Sequence, residues 1–144
     1  RHSRVARSDV STFTALGAEV TLVAPQTLLP VDLEGWPVKV AGGIDEVLDS
    51  DVVYLLRIQM ERGSASVFPS LQEYVWRFGM TRERFALLRS EAVVMHPGPM
   101  NRGVEIAPEV ADHHRALITQ QVANGVAVRM AVLFRLLGGE AEDE

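Results

Sequence analysis

Three short apolar runs limit what this chain can become: Val20-Thr21-Leu22-Val23-Ala24, Val52-Val53-Tyr54-Leu55-Leu56 and Ala92-Val93-Val94-Met95. Each is too short for a helix and rich in valine or leucine. The first is closed by Pro25 and the third by His96-Pro97-Gly98-Pro99, so all three read as buried strands. The stretches between them carry helical spacing instead. Ser3 stands where an N-cap belongs, Ala6, Val10, Phe13 and Leu16 follow along one face, and Gly17 stops the pattern. Residues 26–37, with Pro30, Gly35 and Pro37, read as loop, Val38–Ala41 as a short strand, and Ile44 to Leu48 as a short helix. Helices are expected near 70–78 and 82–89, the second capped by Thr81, and a last long one from His114 to Leu137 with apolar residues on nearly every side. Strands that alternate with helices and are apolar on both faces predict an α/β fold, a doubly wound parallel sheet with helices on both sides. Ligands of such sheets bind beyond the carboxyl ends of the strands.

Composition narrows the chemistry. A chain of 144 residues with 47% hydrophobic content supports one domain with one core. The absence of cysteine excludes disulfides, thiolate metal sites and a cysteine nucleophile. No run approaches the ~18 apolar residues of a membrane span and no signal-like segment opens the chain, so a cytoplasmic setting without a membrane partner is expected. The net charge of −5 argues against nucleic acid as a partner. There is no GxGxxG, no Walker lysine motif and no GxSxG elbow, so a dinucleotide, nucleotide or serine-hydrolase reading has no support and no cofactor is expected. His113 and His114 are adjacent and would face different directions on a helix, so no metal site is expected either. Of the fourteen basic residues thirteen are Arg and only Lys39 is Lys. GC-rich coding or plain solubility explains that bias more readily than function does, although Arg is the residue suited to gripping carboxylates with a rigid fork.

The strand ends hold the candidates. The second strand runs into Arg57-Ile58-Gln59-Met60-Glu61-Arg62, where alternation sends Arg57 and Gln59 to the same side. A guanidinium beside an amide can orient a carboxylate, though Arg57 equally suits an ion pair with Glu61. The third strand ends in His96-Pro97-Gly98-Pro99, where His96 and Gly98 each precede proline and are expected to be extended. Gly98-Pro99 is a candidate for a cis bond. Two prolines stiffen this loop, which suits either a substrate-ordering element or a plain tight turn. Arg4 and Arg7 lie one turn apart near a helix N-terminus, where the macrodipole disfavours cations, and an anionic ligand would relieve the conflict.

Taken together, His2-Ser3-Arg4-Val5-Ala6-Arg7-Ser8, Arg57-Ile58-Gln59-Met60-Glu61-Arg62, His96-Pro97-Gly98-Pro99-Met100-Asn101-Arg102-Gly103-Val104-Glu105-Ile106 and Gln120-Gln121-Val122-Ala123-Asn124-Gly125-Val126-Ala127-Val128-Arg129-Met130 resemble the second half of bacterial aspartate carbamoyltransferases. The resemblance covers essentially the whole chain, as an aspartate-binding domain over residues 1–137 with an acidic tail over 138–144. It implies a Rossmann-like sheet and transfer of the carbamoyl group of carbamoyl phosphate to L-aspartate in pyrimidine synthesis. It further implies that Arg4, Arg57 and Gln59 bind L-aspartate, and that Pro97, Gly98 and Pro99 contact the carbamoyl group through their backbone. No residue acts by covalent catalysis in this reading. Ornithine carbamoyltransferases share the fold but typically carry a Cys-Leu-Pro loop where this chain has Pro97-Gly98-Pro99. The family's amino-terminal lobe with its Ser-Thr-Arg-Thr phosphate loop, its first, central strand and its homotrimeric partners lie outside these residues. The chain alone is therefore expected to be inactive, and a non-catalytic acidic-ligand-binding or scaffold domain is the alternative. Two geometric expectations follow. Val20–Ala24 and Val52–Leu56 should flank the central position without pairing to each other, and Ile118, Val122, Val126, Met130, Leu133, Phe134 and Leu137 should leave an exposed apolar patch.

Overall fold

A computed structural model describes residues 3–30, 33, 35–58 and 70–138. In chain order the elements are α1 (Arg4–Ala15), β1 (Val20–Val23), β2 (Val38–Ala41), a 3-10 turn (Ile44–Val47), β3 (Val52–Tyr54), α2 (Leu71–Phe78), α3 (Arg82–Leu87), β4 (Val93–Met95), α4 (Pro108–Ala111) and α5 (Ile118–Leu136). The helix starts are written in the sequence. Ser3 Oγ accepts the Ala6 N–H at 3.1 Å, Ser70 Oγ the Glu73 N–H at 3.0 Å and Thr81 Oγ1 the Arg84 N–H at 3.3 Å. Each such cap stabilises its helix by about 1 kcal/mol.

Two elements depart from expectation by more than a residue or two at their ends. The closing helix begins at Ile118, not His114, because the residues before it serve the sheet. The Val94 N–H donates to Arg115 O and the Leu117 N–H donates to Val94 O, both at 2.9 Å, so this segment lies against β4 as a short parallel bridge. The short helix α4 was not anticipated; Pro108 at its first turn is the signal for it.

Both ladders are parallel. β1 pairs with β2 from Val20↔Val38 to Val23↔Ala41, and β3 with β4 from Val52↔Val93 to Tyr54↔Met95. Among the described residues the two ladders are not bonded to each other, so β1 and β3 are not neighbours, as expected.

The core gathers on β3 and β4. Val53, Leu55 and Val94 pack with Ile44, Met80, Phe85, Leu88, Ile106, Val110 and Ile118. Gly79 lets the end of α2 pass this core, since a Cβ there would sit 2.8 Å from both Val75 O and Val104 O. Arg84 ties the turn between α2 and α3. Its guanidinium grips both carboxylate oxygens of Asp45 at 2.7 Å and donates to the carbonyls of Gly79, Trp76 and Val75. A cation at the carboxyl end of α2 also meets the negative end of the helix dipole.

Beyond Ile118, which is buried, α5 carries the expected apolar surface. Val122, Val126, Met130, Leu133 and Phe134 are each more than half exposed and Leu137 is 84% exposed.

Candidate functional site

The ends of β3 and β4 form one neighbourhood. The last ladder bond runs from the Leu55 N–H to Met95 O at 2.9 Å. The next donor from β4 in that direction would come from Pro97, which has no N–H, so the ladder stops there. Arg57 and the Pro97–Pro99 loop therefore leave from adjacent strand ends on the same side of the sheet. Asn101 holds them together further out by donating its Nδ2–H to Ile58 O at 3.1 Å. Arg57 is half-buried at this point.

His96 organises the loop from within and is fully buried. Its Nδ1 accepts the Gly98 N–H at 2.8 Å, which leaves the ring proton on Nε2. Nε2 faces Glu105 Oε1 at 3.4 Å, and the same oxygen accepts the Asn101 N–H. Glu105 is itself buried, with Oε2 unpartnered among protein groups, and its carbonyl accepts the Met80 N–H at 3.0 Å. Burial of Tyr74, and the Glu105 charge near it, push that hydroxyl's pKa well above the usual tyrosine range. Gly98 departs from expectation. Its φ is +65°, a left-handed conformation rather than the extended one predicted, and one that glycine adopts without a Cβ penalty. The Gly98–Pro99 peptide is cis.

On the opposite edge of β4, Gln121 of α5 accepts the His96 backbone N–H at 3.0 Å and donates to the Tyr54 hydroxyl at 2.7 Å. Tyr54 sits edge-on to Phe13 of α1 with ring centroids 6.0 Å apart. Its pKa is raised by burial and by the Asp9 carboxylate, while Gln121 acts in the opposite direction.

Of the residues singled out in the sequence, Arg57, Pro97, Gly98 and Pro99 are thus brought together. Arg4 is the first residue of α1 and exposed. Arg7 is engaged elsewhere, with its guanidinium 5.7 Å from the centre of the Trp36 ring, beside a groove of about 310 Å³ lined by Val10, Ser11, Thr14 and Pro37. Gln59 falls outside the described residues, as do Met60, Glu61 and Arg62. His113 and His114 do not diverge as a helix would make them. They sit in the turn before α5, and their rings lie 4.2 Å apart. The His113 pKa is lowered by desolvation and by the His114 and Arg115 charges beside it. The His96–Glu105 pair and the Gln121–Tyr54 link were missed as contacts, although Glu105 and Gln121 stand inside the quoted motifs. Glu105 three residues after Arg102 looks like a surface acid, and only its tertiary setting reveals otherwise.

Comparison with known proteins agrees with this geometry. Residues 1–136 match the family described as aspartate/ornithine carbamoyltransferase, Asp/Orn binding domain. The aspartate carbamoyltransferase catalytic subunit of Thermobifida fusca is 60% identical over 140 residues, which is 96% of this chain and 45% of that protein. The chain thus spans less than half the length of the curated relatives it matches. Aspartate transcarbamoylase from Trypanosoma cruzi, in complex with carbamoyl phosphate and aspartate, superposes with a TM-score of 0.64 at 31% identity, covering 80% of this chain and 40% of that one. Anabolic ornithine carbamoyltransferase from Campylobacter jejuni shares the fold, with a TM-score of 0.76 at 20% identity over 91% of this chain and 47% of that one. With its sequence, strand-end loop and parallel ladders in agreement, the chain belongs to the aspartate/ornithine carbamoyltransferase family, in the region of its Asp/Orn binding domain.

Proposed function

We propose that this lobe supplies the aspartate half of an aspartate carbamoyltransferase. The amine nitrogen of L-aspartate attacks the carbonyl carbon of carbamoyl phosphate, the carbon–oxygen bond to the phosphate breaks, the amine's proton passes to the departing phosphate, and N-carbamoyl-L-aspartate and phosphate leave. The observation that carries the reading is the emergence of Arg57 and the Pro97–Pro99 loop side by side from neighbouring parallel strands, locked by Asn101 onto Ile58. Arg57, with Arg4 and Gln59, binds the two carboxylates of aspartate, for which guanidinium forks are the matched receptor. The Pro97–Pro99 loop presents carbonyls to the carbamoyl group and the incoming amine. Rate enhancement in such a site comes from orientation and from stabilising charge as it develops, with no covalent intermediate on the protein.

A carbamoyl-phosphate-binding lobe and a homotrimeric assembly complete the site in this reading, in a cytoplasmic setting. Aspartate is favoured over ornithine because the loop reads Pro97-Gly98-Pro99 and lacks the Cys-Leu-Pro sequence, and because Arg57 would repel an ornithine ammonium. The test is Arg57→Ala in the assembled enzyme. Losing one charge-assisted contact costs about 1.5–3 kcal/mol, so the aspartate KM is expected to rise roughly 10- to 150-fold while that for carbamoyl phosphate stays within about twofold. Equal losses for both substrates would contradict the assignment.

A further inference from the structure

We infer that Gln121 is a positioning residue for the site, an inference that rests on the functional reading above. β4 presents alternate N–H groups to opposite sides. Those of Val93 and Met95 face β3; those of Val94 and His96 face the other edge. At Val94 that edge is served by backbone, through Arg115 O and the Leu117 N–H. Two residues on, the chain has already turned into α5, so no backbone carbonyl remains for the buried His96 N–H, and the Gln121 side chain takes it at 3.0 Å. Leaving that group unpaired in the interior would be costly.

The same carboxamide fixes its own orientation. With Oε1 committed to an N–H, its Nε2 points at the Tyr54 hydroxyl 2.7 Å away, and a flipped amide would face a donor with a donor. Tyr54 is the last residue of β3, three before Arg57, and His96 is the residue before the Pro97–Pro99 loop. Gln121 therefore spans both strands immediately before their substrate-facing segments, and it anchors them to α5. Among the described residues no ladder bond between β3 and β4 follows Leu55–Met95, and Gln121 adds a side-chain tie between the two strands from the other edge of β4. Its neighbour Gln120 has no such role; it bonds Asn124 on the helix surface at 2.9 Å.

The test uses the lobe joined in frame to the amino-terminal half of the Thermobifida fusca subunit. Gln121→Met keeps the volume and removes the bonds, and Gln121→Asn keeps the amide but is too short to span. Both are expected to raise the aspartate KM about tenfold, to leave the carbamoyl phosphate KM unchanged and to speed hydrogen exchange of the His96 amide at least tenfold. Gln120→Ala is expected to change none of these. Tyr54→Phe should have a smaller effect and add little in the Gln121→Met background, as members of one network do. A fall in kcat at unchanged aspartate KM, the signature of fewer folded molecules, would overturn the positioning role, and so would equal effects from Gln120→Ala. If the parent fusion forms no carbamoyl-aspartate, the functional reading fails; unchanged His96 exchange in Gln121→Met and Gln121→Asn separately removes the clamp.

Discussion

The two parallel ladders are built alike and packed differently. β1–β2 and β3–β4 are both short parallel ladders of valine-rich residues. Yet nearly every fully buried side chain belongs to the second. Met80, Val94, Ile106 and Val110 lie around β3–β4 at 1% exposure or less, whereas every residue of β1 is only half-buried and Val40 of β2 is 50% exposed. The proposed site follows the same division, since the Arg57 strand end and the Pro97–Pro99 loop both spring from the packed half. Substrate-positioning groups need rigid support, and the core supplies it only there.

Substitutions can break or sharpen this contrast. Ile106→Ala should destabilise the lobe by about 2–5 kcal/mol, because it opens a cavity in the packed half. Val40→Ala should cost less than about 1 kcal/mol, as expected at a half-exposed position. Denaturant midpoints of the two variants compare the halves directly, and equal losses would erase the distinction. Next in size, Arg84→Lys should cost about 1.5–3 kcal/mol, since a point charge cannot replace the two-pronged grip on Asp45 and the α2 carbonyls together. A melting temperature unchanged by this substitution would show that the α2–α3 turn holds without it.

The smallest effects are pH-dependent and opposite in sign. Arg84 lowers the Asp45 pKa below its ordinary value, so this pair contributes stability that is present above the unfolded aspartate pKa and lost as pH falls through the depressed one. Burial raises the Asp9 pKa, so the native state holds that proton more tightly and loses stability as pH climbs through the unfolded and then the folded pKa. Asp45→Asn should therefore destabilise at neutral pH, and Asp9→Asn stabilise, with both differences shrinking in acid below the aspartate range. Thermal melts at neutral pH and near pH 3 read both.

Local rules were enough where local chemistry decided. Ser3 and Thr81 cap the helices they were expected to cap, and the apolar runs became strands in parallel ladders, with ends trimmed by a residue or two. The strand ends drew attention to Arg57 and the Pro97–Pro99 loop for the same reason, since the topology of such sheets dictates where ligands sit. What could not be read was tertiary. The start of α5 moved because residues before it bridge to Val94, the His113–His114 rings met because they occupy a turn, and Gly98 took a positive φ where the following proline alone would favour an extended one. Gln121 looked like any polar residue on a helix, and its meaning depends on a backbone group 25 positions away.

The most direct test of the central claim is product formation by this lobe joined to the carbamoyl-phosphate half of its Thermobifida fusca relative, offered L-aspartate and L-ornithine separately with carbamoyl phosphate. The account predicts N-carbamoyl-L-aspartate from the fusion, no product from ornithine, and none from the 144-residue chain alone. Citrulline in place of carbamoyl-aspartate, or no aspartate-dependent product from a folded fusion, would contradict it.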